Sequence, residues 1–255
     1  MRTRYVDIDD RMEDLAERMR ADPEGAAEFL QRYELSWLYH ENALEGLVYS
    51  GQELAAALSE PVLTDAALVA SLRDIRNHKA ALDLAREEAR AKKLKLTPAL
   101  ARRFHETLCQ GPDDRAAADL RKDMPLHRAY FHEIAAPARI APQVQRLFDS
   151  CDTAEFRNAH PLQQATRLHH GFMQAFPYTE NSGRVARLLM NLVLLHGGFR
   201  LPVVFHATDR QRYYEALRVP ETALRELTVE AIDNALAQAE KHFAEVPVRT
   251  RKAAR

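Results

Sequence analysis

The chain has 255 residues, of which 46% are hydrophobic and 29% are charged, and only 8 are glycine, as is typical of a globular, helix-rich protein with one substantial core. The formal net charge of -1 argues against bulk electrostatic binding to nucleic acid or to an anionic membrane. The two cysteines, Cys109 and Cys151, form no metal-binding pattern and are expected to be free thiols.

Apolar periodicity predicts three helices in an N-terminal helical region, which we define as residues 1–94. Their expected ranges are 9–19, 26–47 and 65–93. Gly46 and Gly51 mark the end of the second helix, because glycine favours the backbone conformation that terminates helices.

The chain from residue 95 onward is also predicted to be mainly α-helical. Thr97 followed by Pro98 is a typical helix start, and that helix ends near Gly111. The broken, proline-containing pattern of residues 113–142 predicts a long loop with a short β-hairpin at 129–140. Further helices are expected at about 143–151, 161–175, 183–196 and 210–217. A last helix at 221–243 and a basic tail complete a C-terminal region, 221–255.

The most informative stretch is the loop between two of these helices, Phe176-Pro177-Tyr178-Thr179-Glu180-Asn181-Ser182-Gly183-Arg184-Val185-Ala186-Arg187. Backbone N–H groups at a helix N-terminus favour an anion. Arg184 and Arg187 are three residues apart and can project from one helix face toward it. Ser182 is the expected N-cap, and Asn181 tolerates a left-handed turn. The pattern predicts a phosphate-binding loop that lacks an obvious base.

Two residue assignments in this loop stay open from the residues alone. Glu180 is either a carboxylate ligand of a divalent cation or a capping acid near the helix N-terminus. Arg184 and Arg187 bind either an external anion or acidic side chains of neighbouring helices. Phe176 itself is typical of a core aromatic beside a proline turn.

The loop resembles the signature of the Fic (Fido) family, HPFx(D/E)GN(G/K)RxxR. Pro177, Glu180, Gly183, Arg184 and Arg187 stand in register with it. Tyr178 replaces a phenylalanine, Asn181 stands at a glycine position and Ser182 at an asparagine position. Phe176 stands where the family has its catalytic histidine. Outside the loop, the resemblance covers roughly residues 95–220.

The resemblance implies a Fic-like helical bundle with a small β-hairpin flap at 129–140 that docks a target protein. It further implies a nucleotide, ATP, held with Mg²⁺ at Glu180 and bound by Asn181, Ser182, Gly183, Arg184 and Arg187. Family members mostly transfer AMP from ATP to protein hydroxyls. Because phenylalanine cannot accept a proton, Phe176 removes a general base, whose contribution is typically about 10²–10⁴-fold.

A segment of the N-terminal region resembles the family's inhibitory motif, (S/T)xxxE(G/N). Glu45 and Gly46 match it, and Glu41 replaces the Ser/Thr. In that motif the glutamate pairs with the second arginine of the signature, which is Arg187 here, and occupies the site of a γ-phosphate. The resemblance therefore implies an autoinhibitory Glu45–Arg187 pair. Ancestry alone, with the pair kept for stability, is the other account.

Three functions are compatible with these residues. The first is a degenerate Fic protein that binds a nucleotide or phosphate and acts as a binding or regulatory module. The second is an active transferase with altered chemistry, in which His169, His170 or His132, or the substrate itself, supplies the base. The third is a scaffold whose anion pocket is closed by Glu45.

Location and assembly are less constrained. Residues 1–5 lack the apolar run of a signal peptide, and no stretch approaches the roughly 18 apolar residues of a membrane span. We expect a cytoplasmic protein with no nucleic-acid or membrane partner. The sequence leaves homo-oligomer formation open.

Overall fold

The computed structural model describes residues 2–59, 66–111, 119–125 and 132–245. Within these ranges the chain is helical, with irregular connections and no β-strand. The helices are α1 (Arg2–Ala21), α2 (Pro23–Leu44), α3 (Gly51–Leu58), α4 (Ala66–Ala89), α5 (Pro98–Leu108), α6 (Pro137–Cys151), α7 (Ala154–Arg157), α8 (Pro161–Ala175), α9 (Ser182–His196), α10 (Arg210–Ala216) and α11 (Thr222–Glu245). A single 3-10 turn, Ala207–Asp209, precedes α10.

The predicted mainly α fold is confirmed, but the predicted hairpin at 129–140 is wrong where the structure describes it. Residues 132–136 are irregular and residues 137–140 are the first turn of α6, while 129–131 lie outside the described residues. Pro137 occupies the first helical turn, where proline is well tolerated. Ile140, Val144 and Phe148 then recur every four residues and are buried, which is a helical rather than a strand period.

Helix α9 is the centre of the molecule, because every residue from Ser182 to Leu194 is buried. Helix α8 packs along it, and α4 and α5 cover other faces. Helix α1 packs on α11, which in turn contacts α8. Side chains of all three regions defined from the sequence therefore share one hydrophobic core, which has Trp37, Phe172 and Leu236 among its members.

Helix α2 is positioned so that its C-terminal end reaches the loop before α9. It begins at Pro23 after Asp22, whose carboxylate caps Gly25 N–H at 3.0 Å. It ends with Glu45 as the C-cap, followed by Gly46 at φ +89°. Gly46 adopts this left-handed conformation without the steric penalty of a side chain. The sharp end leaves Glu45 on the last turn, facing the core.

Two further expectations concern the thiols and the membrane. Cys109 and Cys151 are both free, as expected, and Cys151 is buried. Among the helices that the structure describes, none is both long enough and apolar enough to cross a bilayer.

Candidate functional site

Phe176 closes α8 in an unusual backbone conformation. Its φ of +42° and ψ of +63° are left-handed, a region that costs a bulky residue free energy. Its N–H donates to Phe172 O at 2.8 Å, and its carbonyl accepts from Arg121 Nε at 2.7 Å. Arg121 is buried and also donates to Ala135 O. The segment around Arg121 therefore holds Phe176 in place, with its ring buried.

The turn that follows is closed by its own side chains. The Ser182 hydroxyl accepts from Tyr178 N–H and donates to Tyr178 O, both at 2.9 Å. The Tyr178 ring stacks on His105, with ring centroids 3.8 Å apart. Asn181, at φ +62°, is the N-cap of α9 and makes no side-chain capping hydrogen bond. The left-handed Asn181 is as predicted, but Ser182 is the first residue of the helix rather than its cap, because its hydroxyl is used inside the turn.

Arg184 is buried at the first turn of α9 and binds protein groups from two other helices. Its Nη1 and Nη2 lie 2.8 and 2.9 Å from the two carboxylate oxygens of Asp74 on α4. Nη2 also donates to Asn42 Oδ1 on α2, and Nη1 donates to Asn181 Oδ1 at 3.1 Å. No described residue accepts a hydrogen bond from Arg184 Nε. The guanidinium thus has one free donor and a bidentate acidic partner.

Arg187 is completely buried and is held by two carboxylates of α2. Its Nη2 lies 2.7 Å from Glu45 Oε1, so the predicted Glu45–Arg187 ion pair is present. Its Nε lies 2.6 Å from Glu41 Oε2, a contact that the sequence did not predict. Nη1 donates to the Tyr213 hydroxyl at 3.3 Å. Glu41 and Glu45 are four residues apart on one helix face, and that spacing was the available signal for Glu41.

Electrostatics at Glu41 are set by competing effects. Burial raises the pKa of the Glu41 carboxyl, and the Arg187 guanidinium opposes this shift. His78 on α4 lies 3.8 Å from Glu41 Oε2, and burial holds the pKa of His78 well below its usual range. The neutral imidazole therefore offers little help in balancing charge, and the Arg187 guanidinium is the main counter-ion of Glu41.

The remaining predicted residues of the loop differ in exposure. Glu180 is exposed at the tip of the turn, whereas Gly183 is buried in the first turn of α9. No group of three or more His, Cys, Asp or Glu side chains that could hold a metal ion occurs in the part of the chain described here. A cation at Glu180 would therefore take its other ligands from water and from a bound phosphate, as Mg²⁺ commonly does.

All three histidines considered as a replacement base are buried. His169 is fully buried, its Nε2 is 3.0 Å from the Tyr213 hydroxyl, and burial holds its pKa well below the usual range. His170 Nε2 lies 3.0 Å from Val219 O. His132 is the one beside Phe176: its ring meets the Phe176 ring edge-on at 6.4 Å, and its Nε2 lies 2.8 Å from Met173 O.

A cavity of about 440 Å³ opens beside the turn, within the range of roughly 300–1,000 Å³ found for small-molecule pockets. Its walls come from α4, from the end of α5 and from the loop, and they include Asp74, Asn77, His105, Cys109, Glu180 and Asn181. Asp74 thus contacts both Arg184 and the cavity. Two partners of Arg184, Asp74 and Asn42, were missed from the sequence. Asn42 lies between Glu41 and Glu45 in the segment that resembles the inhibitory motif, whereas no local pattern links Asp74 to the loop.

Comparison with known proteins gives the same family for the central part of the chain. The Fic/DOC family model matches residues 95–194. Protein adenylyltransferase Fic of Nematostella vectensis is 35% identical over 86 residues, which are 34% of this chain and 20% of that protein. Protein adenylyltransferase Fic of Drosophila willistoni is 24% identical over 187 residues, which are 71% of this chain and 36% of that protein. The chain thus spans only a fifth to about a third of these relatives.

Solved structures with similar folds cover nearly the whole chain. Fic-1 from C. elegans superimposes with a TM-score of 0.77 and 18% identity, over 94% of this chain and 71% of that one. A Fic-domain-containing signalling protein from Bacteroides thetaiotaomicron gives a TM-score of 0.74 and 19% identity, over 91% of this chain and 97% of that one. At these identities the likeness shows a shared fold.

Proposed function

We propose that this protein, whose residues 95–194 match the Fic/DOC family model, binds a nucleotide or phosphate at the loop before α9 but transfers AMP poorly or not at all. It would act as a binding or regulatory module. The observation that carries the proposal is Phe176, whose buried apolar ring occupies the signature's histidine position. A ring without a proton acceptor cannot serve as a general base.

The donor set supports a phosphate ligand. Arg184 and Arg187 lie one turn apart on α9, and Arg184 Nε is a buried donor with no acceptor among the described residues. Planar guanidinium groups bind phosphates as readily as carboxylates. ATP with Mg²⁺ is the ligand that the family suggests, with the cation beside Glu180. A phosphate that contacts the full edge of either arginine must displace a carboxylate.

A closed scaffold is the second candidate, and a specific observation favours it. Both arginines are already neutralised, Arg184 by Asp74 and Arg187 by Glu41 and Glu45, at distances of 2.6 to 2.9 Å. Charge-assisted hydrogen bonds of this length are strong. In that case the loop would stabilise the fold and bind no nucleotide.

Calorimetric titration of MgATP separates the two candidates. The proteins compared are the wild type and Glu41→Gln/Glu45→Gly, which frees Arg187 from both acids. The control is Asp233→Asn/Glu240→Gln, which also removes two acids from one arginine, Arg11, where α1 meets α11. We expect the first variant to bind MgATP more tightly than the wild type and the control to match the wild type. If none of the three proteins binds MgATP, the closed scaffold is favoured.

Transfer is tested by adding the missing base. Phe176→His in the Glu41→Gln/Glu45→Gly background is compared with that background alone, using labelled ATP and either self-modification or a lysate as acceptor. We expect about 10²–10⁴-fold more label in the protein that carries Phe176→His than in the background variant, which is the usual contribution of a general base. Equal labelling with Phe176 in place would instead indicate a transferase with altered chemistry.

The same proposal includes a protein partner, but one that does not bind by adding a strand to the hairpin predicted from the sequence. Strand addition needs an exposed strand edge. Residues 132–136 are irregular and residues 137–140 are helical. A partner that docks at 129–140 would therefore have to recognise side chains or a helix end over 132–140.

A further inference from the structure

Two acids contact Arg187, and they are placed very differently. Glu45 is the C-cap of α2, its side chain is 20% exposed, and Gly46 follows it. Glu41 lies inside the helix, and its side chain is 1% exposed against a completely buried Arg187. Terminal residues of a helix move with little loss of structure, whereas residues one turn inside move only with the helix. The partly exposed Glu45 side chain can therefore rotate away from Arg187 while the backbone stays in place, whereas the buried Glu41 side chain has no such freedom.

The end of α2 is also fastened from outside. Arg210 Nε donates to Leu44 O at 2.8 Å, and the Tyr214 hydroxyl donates to the same carbonyl. Asn42, next to Glu41, joins α2 to Arg184. These contacts hold the last turn of the helix against α9 and α10, with Glu41 directed at Arg187.

Burying Glu41 lowers the stability of the fold, which is unexpected for a residue with only a structural role. Its Oε1 is buried and has no hydrogen-bond donor among the described residues, and both ring nitrogens of the neighbouring His78 likewise lack partners there. Unsatisfied buried polar atoms destabilise a fold. The inhibitory motif that this segment resembles has a neutral Ser or Thr at this position, where this chain has Glu41.

We propose that Glu41 is a second carboxylate lock on Arg187, one that stays in place after Glu45 has left. The proposal rests on the proposed phosphate site. With Glu45 displaced, Arg187 Nε still holds Glu41 at 2.6 Å, so an incoming phosphate meets only the Nη edge of the guanidinium. It also meets the negative charge of Glu41, which is buried and poorly screened. Removing Glu45 alone then opens the site only in part.

The test is MgATP titration into four proteins: wild type, Glu45→Gly, Glu41→Gln and Glu41→Gln/Glu45→Gly. Glutamine keeps the size of the Glu41 side chain and removes its charge. We expect the double variant to bind at least about tenfold more tightly than Glu45→Gly, because a like charge beside the ligand phosphate is gone. Equal affinity of the double variant and Glu45→Gly would overturn the second lock while leaving the proposed phosphate site intact.

If none of the four proteins binds MgATP, the proposed ligand fails and a second measurement decides about the lock. Urea unfolding of wild type, Glu41→Gln, Arg187→Met and their combination forms a double-mutant cycle. The matching cycle uses Glu45→Gln. We expect the Glu41–Arg187 coupling to change the unfolding equilibrium constant at least as many fold as the Glu45–Arg187 coupling does. A Glu41 coupling near unity would show that Glu41 does not hold Arg187.

Discussion

The two ends of the loop that precedes α9 compare with the family signature in opposite ways. At the Phe176 end the signature's ionisable side chain is replaced by a buried ring. The Phe176 carbonyl accepts a hydrogen bond from Arg121, which also donates to the carbonyl of Ala135. At the arginine end both charged residues of the signature remain, and every charge meets a carboxylate of another helix. The residue at the base position and the arginine pair are therefore separable: one can change while the other is kept. Phe176 offers no proton acceptor, and Arg184 and Arg187 are both present but bound to carboxylates.

The largest effect is expected from breaking the arginine end. Arg187→Met leaves Glu41 and Glu45 without their shared counter-ion and should lower the free energy of unfolding by about 3–5 kcal/mol, the usual cost of orphaning a buried charge. Urea denaturation measures it. Arg212→Met is the matched control, because Arg212 also binds two acids, Asp209 and Glu230, but is more than half exposed. We expect no measurable loss there, and equal losses would contradict the importance of burial.

Substitutions of Phe176 should change stability mainly through lost packing. Phe176→Ala removes a buried ring and should lower the free energy of unfolding by about 3 kcal/mol, because a cavity remains. Alanine pays a similar penalty for the left-handed backbone, so the difference reports mainly on packing. Phe176→His should cost less, since it keeps a ring in the same space. A Phe176→His variant as unstable as Phe176→Ala would show that this end no longer accommodates the signature residue.

A pH effect is expected where α2 meets the turn before α10. Burial and the nearby His206 lower the pKa of His40 to about 4. The unfolded chain takes up this proton at a pH near 6.5, whereas the folded chain resists it, so stability is lost as the pH falls from about 6.5 to about 4. Allowing for partial exposure, the loss should be about 1–2 kcal/mol. Urea unfolding of wild type and His40→Gln at pH 7 and pH 5 measures it, and identical pH dependence of the two would refute the assignment.

Most of the helices could be predicted from local sequence. The helix 161–175 was predicted with its observed bounds, because His160-Pro161 and the turn residues after Phe176 punctuate it on both sides. Helix α3 was missed although Ser50 and Glu53 form a capping box, a signal that was present in the sequence. The several prolines of residues 113–142 favour a broken, irregular segment, but Pro137 starts a helix, which is why the predicted hairpin is absent at 132–140.

Local sequence indicates some partners of the two arginines but not others. Glu45 was found through a motif, and Glu41 was within reach because it shares a helix face with Glu45. Asp74 lies 110 residues from Arg184, so nothing in the local pattern connects them. Such a contact depends on how α4 packs against α9, and that packing is decided by the whole core. The sequence therefore predicted the charged residues of the loop better than it predicted what neutralises them.

The smallest effect is expected at the junction of the two ends, Asn181. Its φ of +62° is the conformation that glycine adopts freely, and the family signature has glycine there. Asn181→Gly loses the 3.1 Å hydrogen bond to Arg184 but relieves backbone strain, so the free energy of unfolding should change by no more than about 0.5 kcal/mol. Asn181→Ala loses the same bond without that relief and should cost about 1 kcal/mol more. Equal stability of the two variants in urea would mean that the left-handed turn is not maintained in solution, and that the spacing between Phe176 and the arginines is set by the helices alone.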